Sequence, residues 1–145
     1  MAAAHELIRD RVPSVRLVLT TGPRVDPSSL PAADGLEVNG YVHELWRALL
    51  AADIGVSHGG LATTMELTAF QRPFVYFPLR NHFEQNHHVH HRVQRYGAGR
   101  EMAFHEVTDE DIAAAIAEQV DRQVQSLPVP AGGAARAASM IAELL

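Results

Sequence analysis

The chain holds no cysteine and no lysine among its 145 residues. Without cysteine there is no disulfide, no thiolate metal site and no thiol nucleophile. That usage suits the reducing cytoplasm, the expected compartment. The basic side chains are twelve arginines against seventeen acidic residues, for a net charge of −5. Duplex binding draws most of its affinity from a basic face that neutralises phosphates, so nucleic acid is not an expected partner. Arginine without lysine, beside many alanines, reads as codon bias and carries no mechanism. No apolar run approaches the ~18 residues of a membrane span, and none is expected. The start, MAAAHELIRDR, lacks the basic-then-apolar order of a secretory signal. The G-x-G-x-x-G fingerprint of a dinucleotide site is also missing.

What is present is an alternation of strands and helices. Residues 3–11 read as a helix ended by Pro13, and Val15–Thr21 as a β-branched strand closed by Gly22-Pro23. Residues 22–35 are loop, Leu36–Val42 a second strand, and His43–Ala52 a helix whose apolar spacing places Trp46 in the core. Asp53–Ser57 is a short strand before His58-Gly59-Gly60, and Leu61–Phe70 a helix stopped by Arg72-Pro73. Phe74–Phe77 is a fully apolar strand, Glu84–Tyr96 a long polar helix, and Arg100–Ala103 a short strand. Thr108, with Asp111 three residues on, caps a helix reaching about Gln125, and Ala134–Leu145 makes the last one. Such an order argues for an α/β fold, a parallel sheet with helices on both faces. The length suits one domain, residues 1–145.

The informative stretch runs from Ser57 to Asn86. A strand, two glycines and a helix start place side-chain-free residues where backbone N–H groups are unpaired. Such a spot suits a phosphate, and glycine lets the backbone approach it closely. Thr63 and Thr64, in the first turn, can add hydroxyl donors, and the imidazole of His58 another. A carboxylate at Glu66 could accept both hydroxyls of a ribose. Alone, Gly59-Gly60 is equally well read as a tight turn. Nine histidines are present, five of them between His82 and His91. His87 and His91 share a helix face at a zinc-compatible spacing, with His82 or Glu84 as further ligands. A polar helix surface is the preferred reading, and no metal and no cofactor are expected.

The full arrangement of His58-Gly59-Gly60, Thr63, Glu66, Pro73, Pro78 and Glu84-Gln85-Asn86 resembles the C-terminal, donor-binding domain of GT-B glycosyltransferases of the UDP-glycosyltransferase or MurG-like type. Gly97-Ala98-Gly99 and the Thr108 helix fit the same pattern. The resemblance implies a Rossmann-like sheet. It implies that His58, Gly59, Gly60, Thr63 and Thr64 hold the diphosphate and that Glu66 binds the ribose. Tyr41 and Val42 would receive the base, and Glu84 and Gln85 the sugar. The implied substrate is a nucleotide sugar, with UDP favoured, and the implied reaction is metal-independent glycosyl transfer to an acceptor hydroxyl.

In the family the acceptor site and catalytic base come from an N-terminal domain, so the expected partner is that domain or a separate subunit. The family domain also opens with a strand at the centre of its sheet, in the order 3-2-1-4-5-6. Here the first recognisable strand corresponds to the second, so the central strand is expected to be missing. The chain then reads as part of a longer polypeptide, inactive in isolation and prone to self-association. Other readings are a donor-binding subunit of a split enzyme and a nucleotide-sugar epimerase of the same architecture.

Overall fold

The computed structural model describes residues 3–120 and 122–144. In chain order the elements are α1 (Ala4–Arg11), β1 (Leu17–Thr20), β2 (Leu36–Asn39), α2 (Leu45–Ala51), β3 (Gly55–Ser57), α3 (Leu61–Ala69) and β4 (Phe74–Tyr76). There follow a π-helical turn (Glu84–Val89), α4 (His90–Tyr96), β5 (Arg100–Glu101), α5 (Asp109–Val120) and α6 (Gly133–Ala142). Every strand pairing is parallel.

The strands form two sheets, β1-β2 and β3-β4-β5. Among the described residues β1 and β3 each pair with one strand only. The ladder bonds run from Leu17 N–H to Gly35 O and from Thr21 N–H to Asn39 O, so Val18 and Thr20 turn their backbone groups to the open edge. Val18 is half exposed, and no β1 or β2 side chain is fully buried. Among the described residues the fold is α/β, with no strand joining β1 to β3.

β4 explains why Phe74–Phe77 is apolar throughout. Its side chains alternate between two cores. Val75 and Phe77 join Ala4 and Ile8 of α1 and Ile112, Ala113, Ala115 and Ile116 of α5. Phe74 and Tyr76 join Leu67 of α3, Val89 of the π-helical turn and Val93 of α4. Helices therefore cover both faces of β4, and two residues come so close that only glycine fits. A Cβ at Gly55 would lie 2.7 Å from Leu67, and one at Gly99 2.4 Å from the Phe74 ring.

Three expectations are corrected. The helix over Glu84–Tyr96 is not uniform, because its first six residues are wound as a π-helix. The side chain of Gln85 accepts from Leu79 N–H at 2.8 Å, and Asn86 Nδ2 donates to Leu79 O at 2.8 Å and to His82 O at 2.9 Å. Those bonds anchor the turn to the preceding loop, and the wider winding keeps Gln85, Val89 and Val93 buried. α5 is Asp109–Val120 rather than reaching near Gln125; Ser126 and Leu127, outside any helix, are instead bonded to Gln71 and Tyr96. Trp46 is 40% exposed, with the Arg47 guanidinium 5.0 Å from its ring. α2 buries no residue fully and meets the core through Leu49. The expected last helix is present to Ala142, and Leu145 lies outside the described residues.

Candidate functional site

The expected site residues follow the carboxyl ends of parallel strands, where open α/β sheets bind ligands. Tyr41 and Val42 follow β2, His58-Gly59-Gly60 follows β3, and Glu84-Gln85 follows β4. Since β3 and β4 are neighbours, the His58 turn and the loop to Glu84 lie side by side, and α3 packs on the π-helical turn. Tyr41 and Val42 lie beyond the end of β2 in the other sheet, and no described hydrogen bond joins them to the rest. A surface hollow of about 400 Å³ between Arg9, Arg16, Asp34 and Glu37 opens at the amino ends of β1 and β2. Strand polarity argues against it as the binding site.

Gly59 and Gly60 serve different purposes. Gly59 is buried at φ +75°, a conformation costly for any residue with a Cβ. A Cβ there would also sit 3.1 Å from Cδ2 of Tyr76, so the Tyr76 ring is the floor of the turn. Its N–H donates to Ser57 Oγ at 3.1 Å. Gly60 has an ordinary φ of −64° and open space where a Cβ would be. It precedes α3, and no side chain caps that helix. The first helical N–H groups are then free for an anion. His58 is exposed beside them.

Thr63 and Thr64 part company as well. Thr64 is fully buried, and its hydroxyl donates to Gly60 O at 3.0 Å and Leu61 O at 3.1 Å. Its proton is directed within the helix, whereas Thr63 is partly exposed. Glu66, also partly exposed, is three residues beyond Thr63 and shares its helix face.

Glu84 is exposed at the start of the π-helical turn, while Gln85 is 8% exposed. The Gln85 carbonyl is taken by Leu79 N–H, which leaves its amide N–H groups to donate. Arg80, which the preceding loop carries, is exposed. Tyr41 is 78% exposed, an aromatic face free to stack. Just after it, Glu44 holds a left-handed φ of 48°, a strained conformation away from glycine. The Phe83 ring packs on His87 and His88, at 4.6 and 5.5 Å between centroids. Among the described residues no three His, Asp or Glu are grouped to hold a metal. The Asp109-Glu110-Asp111 run is a helix start in which Asp111 accepts from Thr108 N–H at 2.8 Å.

Sequence reasoning passed over Tyr76, Glu101 and His90. The Tyr76 hydroxyl donates to Glu101 Oε2 at 2.6 Å, and that oxygen also receives His90 Nδ1 at 2.5 Å. Burial, then the Glu101 carboxylate, pushes the Tyr76 phenol well above the usual tyrosine range. An apolar strand gives no sign that its one hydroxyl needs a partner.

No described helix is long and apolar enough to cross a membrane. Solved structures share the fold. The glycosyltransferase of kitacinnamycin superposes with a TM-score of 0.65 at 26% identity, over 82% of this chain and 30% of its own. The calicheamicin glycosyltransferase CalG4 gives 0.65 at 17% identity, over 83% of this chain and 30% of its own. The architecture is the C-terminal half of a GT-B glycosyltransferase. An uncharacterized glycosyltransferase of Methanopyrus kandleri is 33% identical over 112 residues, 77% of this chain and 32% of that protein. Another, of Methanosarcina mazei, is 27% identical over 93 residues, 63% of this chain and 24% of that protein. The chain thus spans about a third or less of these relatives' length. The model of the glycosyltransferase family 28 C-terminal domain matches residues 4–144, and the chain belongs to that family.

Proposed function

We propose that the rim formed by His58-Gly59-Gly60, the start of α3 and the π-helical turn binds a nucleoside-diphosphate sugar, with UDP favoured, for metal-independent transfer of a hexose to an acceptor hydroxyl. The observation that carries this reading is the uncapped start of α3 beside Gly60, with open space over the glycine. A diphosphate there would meet free N–H groups, the positive end of a helix, the Thr63 hydroxyl and the His58 imidazole. Glu66 would accept from the ribose, Glu84 and the Gln85 amide would contact the sugar, and Tyr41 with Val42 would receive the base.

The bond from the anomeric carbon to the diphosphate oxygen breaks, and its electron pair leaves with the diphosphate. The fixed N–H dipoles stabilise the charge that develops there. The acceptor oxygen forms the new bond, and its proton passes to a general base. That base, with the acceptor site, belongs in this reading to a further domain or a partner subunit. Support comes from the match to a C-terminal domain and from relatives several times longer than the matched segment. The isolated chain would bind donor without transferring sugar.

The test is a calorimetric titration with UDP beside a His58→Ala variant whose fold is checked by circular dichroism. Binding weakened at least about tenfold in a folded variant supports the reading. If a folded wild type binds neither UDP, TDP nor GDP, the reading fails. Turnover of a nucleotide sugar without acceptor would point to an epimerase instead.

A further inference from the structure

One carboxylate ties together three elements, β4, α4 and β5. Glu101 Oε2, at the end of β5, receives the Tyr76 hydroxyl from β4 at 2.6 Å and His90 Nδ1 from α4 at 2.5 Å. Each donor leads to a different part of the rim. The Tyr76 ring is the floor under Gly59, 3.1 Å from where a Cβ would be. His90 is the first residue of α4, directly after the π-helical turn that opens with Glu84 and Gln85.

We propose that Glu101 is a positioning residue, setting the separation between the diphosphate turn and the segment that contacts the sugar. The inference rests on the donor-site reading above. A plain surface ion pair is the competing account, since His90 and Glu101 side chains are 39% and 37% exposed and such pairs contribute little. Two features weigh against it. Tyr76 is 1% exposed, and a buried hydroxyl needs an acceptor. In addition, π-helical winding is uncommon and persists where its surroundings hold it. On the loop side it is held by Gln85 and Asn86, and on the helix side by the bond from His90.

The test compares Glu101→Ala, Glu101→Gln and wild type in binding UDP and two UDP-hexoses, UDP-glucose and UDP-N-acetylglucosamine. Glu101→Ala is expected to weaken the tighter-binding UDP-hexose about tenfold and UDP less than about threefold. Glu101→Gln keeps an acceptor for Tyr76 and should recover most of the loss. Equal weakening of both ligands would mean a merely structural role and overturn the proposal, as would no change. A second readout needs no ligand: amide hydrogen exchange across residues 84–96. Faster exchange there in Glu101→Ala, with α1 and α5 unchanged, supports the coupling; an unchanged pattern overturns it. Should wild type bind no nucleotide, the donor-site reading fails, and the exchange data still decide whether Glu101 holds the two segments in register.

Discussion

Gly59 and Tyr76 are closely matched: a Cβ on the glycine would lie 3.1 Å from Cδ2 of the Tyr76 ring, tighter than ordinary contact. Gly60, next in the chain, touches nothing in that direction. Substitution should separate the two. Gly59→Ala meets both a left-handed φ and a ring, and should destabilise the fold by about 1–3 kcal/mol. Gly60→Ala should cost no more than about 1 kcal/mol, yet weaken UDP about tenfold by blocking the approach of the anion. Thermal unfolding and calorimetry on both variants check this. A Gly60→Ala protein that binds UDP like wild type would remove the diphosphate from that turn.

The Tyr76–Glu101 bond predicts alkaline sensitivity. The folded state holds the Tyr76 phenol above its ordinary 10.0. Its contribution to stability is therefore complete below pH 10.0 and is lost as pH rises further toward the folded value. Tyr76→Phe should flatten the alkaline limb of a stability–pH profile. In Glu101→Gln, ultraviolet titration should show Tyr76 ionising at lower pH than in wild type.

At the other end of the scale, Thr108 and Asp111 cap α5 reciprocally, with Asp111 N–H returning a bond to Thr108 Oγ1 at 3.2 Å. Bonds from the Thr108 backbone first, then its side chain, hold the Asp111 carboxyl below its ordinary 3.8. The contribution is present above pH 3.8 and lost as pH falls through the lowered folded value. Asp111→Asn should melt lower than wild type at neutral pH, and the gap should close in acid. A gap that persists at the lowest pH would assign the loss to something other than the carboxylate.

The open edges of β1 and β3 should drive association. Sedimentation velocity over a range of concentrations should give a mean mass rising above the 15.8 kDa of one chain. A constant mass of one chain, with cooperative unfolding, would show that these edges are protected.

Much of the fold was legible in the sequence because its signals are local. Glycine and proline bound most elements, the Phe74–Phe77 run marks a strand buried on both faces, and Thr108 with Asp111 marks a helix start. The candidate site was read from the same kind of local signal, since His58-Gly59-Gly60, Thr63, Glu66 and Glu84-Gln85 stand at a fixed spacing. Where the reading failed, a distant partner was responsible. Trp46 has core-like spacing, but α2 meets the core only through Leu49. α5 was expected to run further, but Ser126 and Leu127 lie outside any helix, bonded to Gln71 and Tyr96.

The sequence by itself thus determined the order of elements, the glycine turn before α3 and the family to which they belong, since those depend on residue type and spacing along the chain. Tertiary structure alone decided that Thr64 spends its hydroxyl within the helix while Thr63 remains available, that Gly59 is required by Tyr76 while Gly60 faces open space, and that Glu101 joins Tyr76 to His90. Each of these depends on which atoms meet across the packed faces of β4, and hydrogen-bond partners of that kind leave no periodic trace in a sequence.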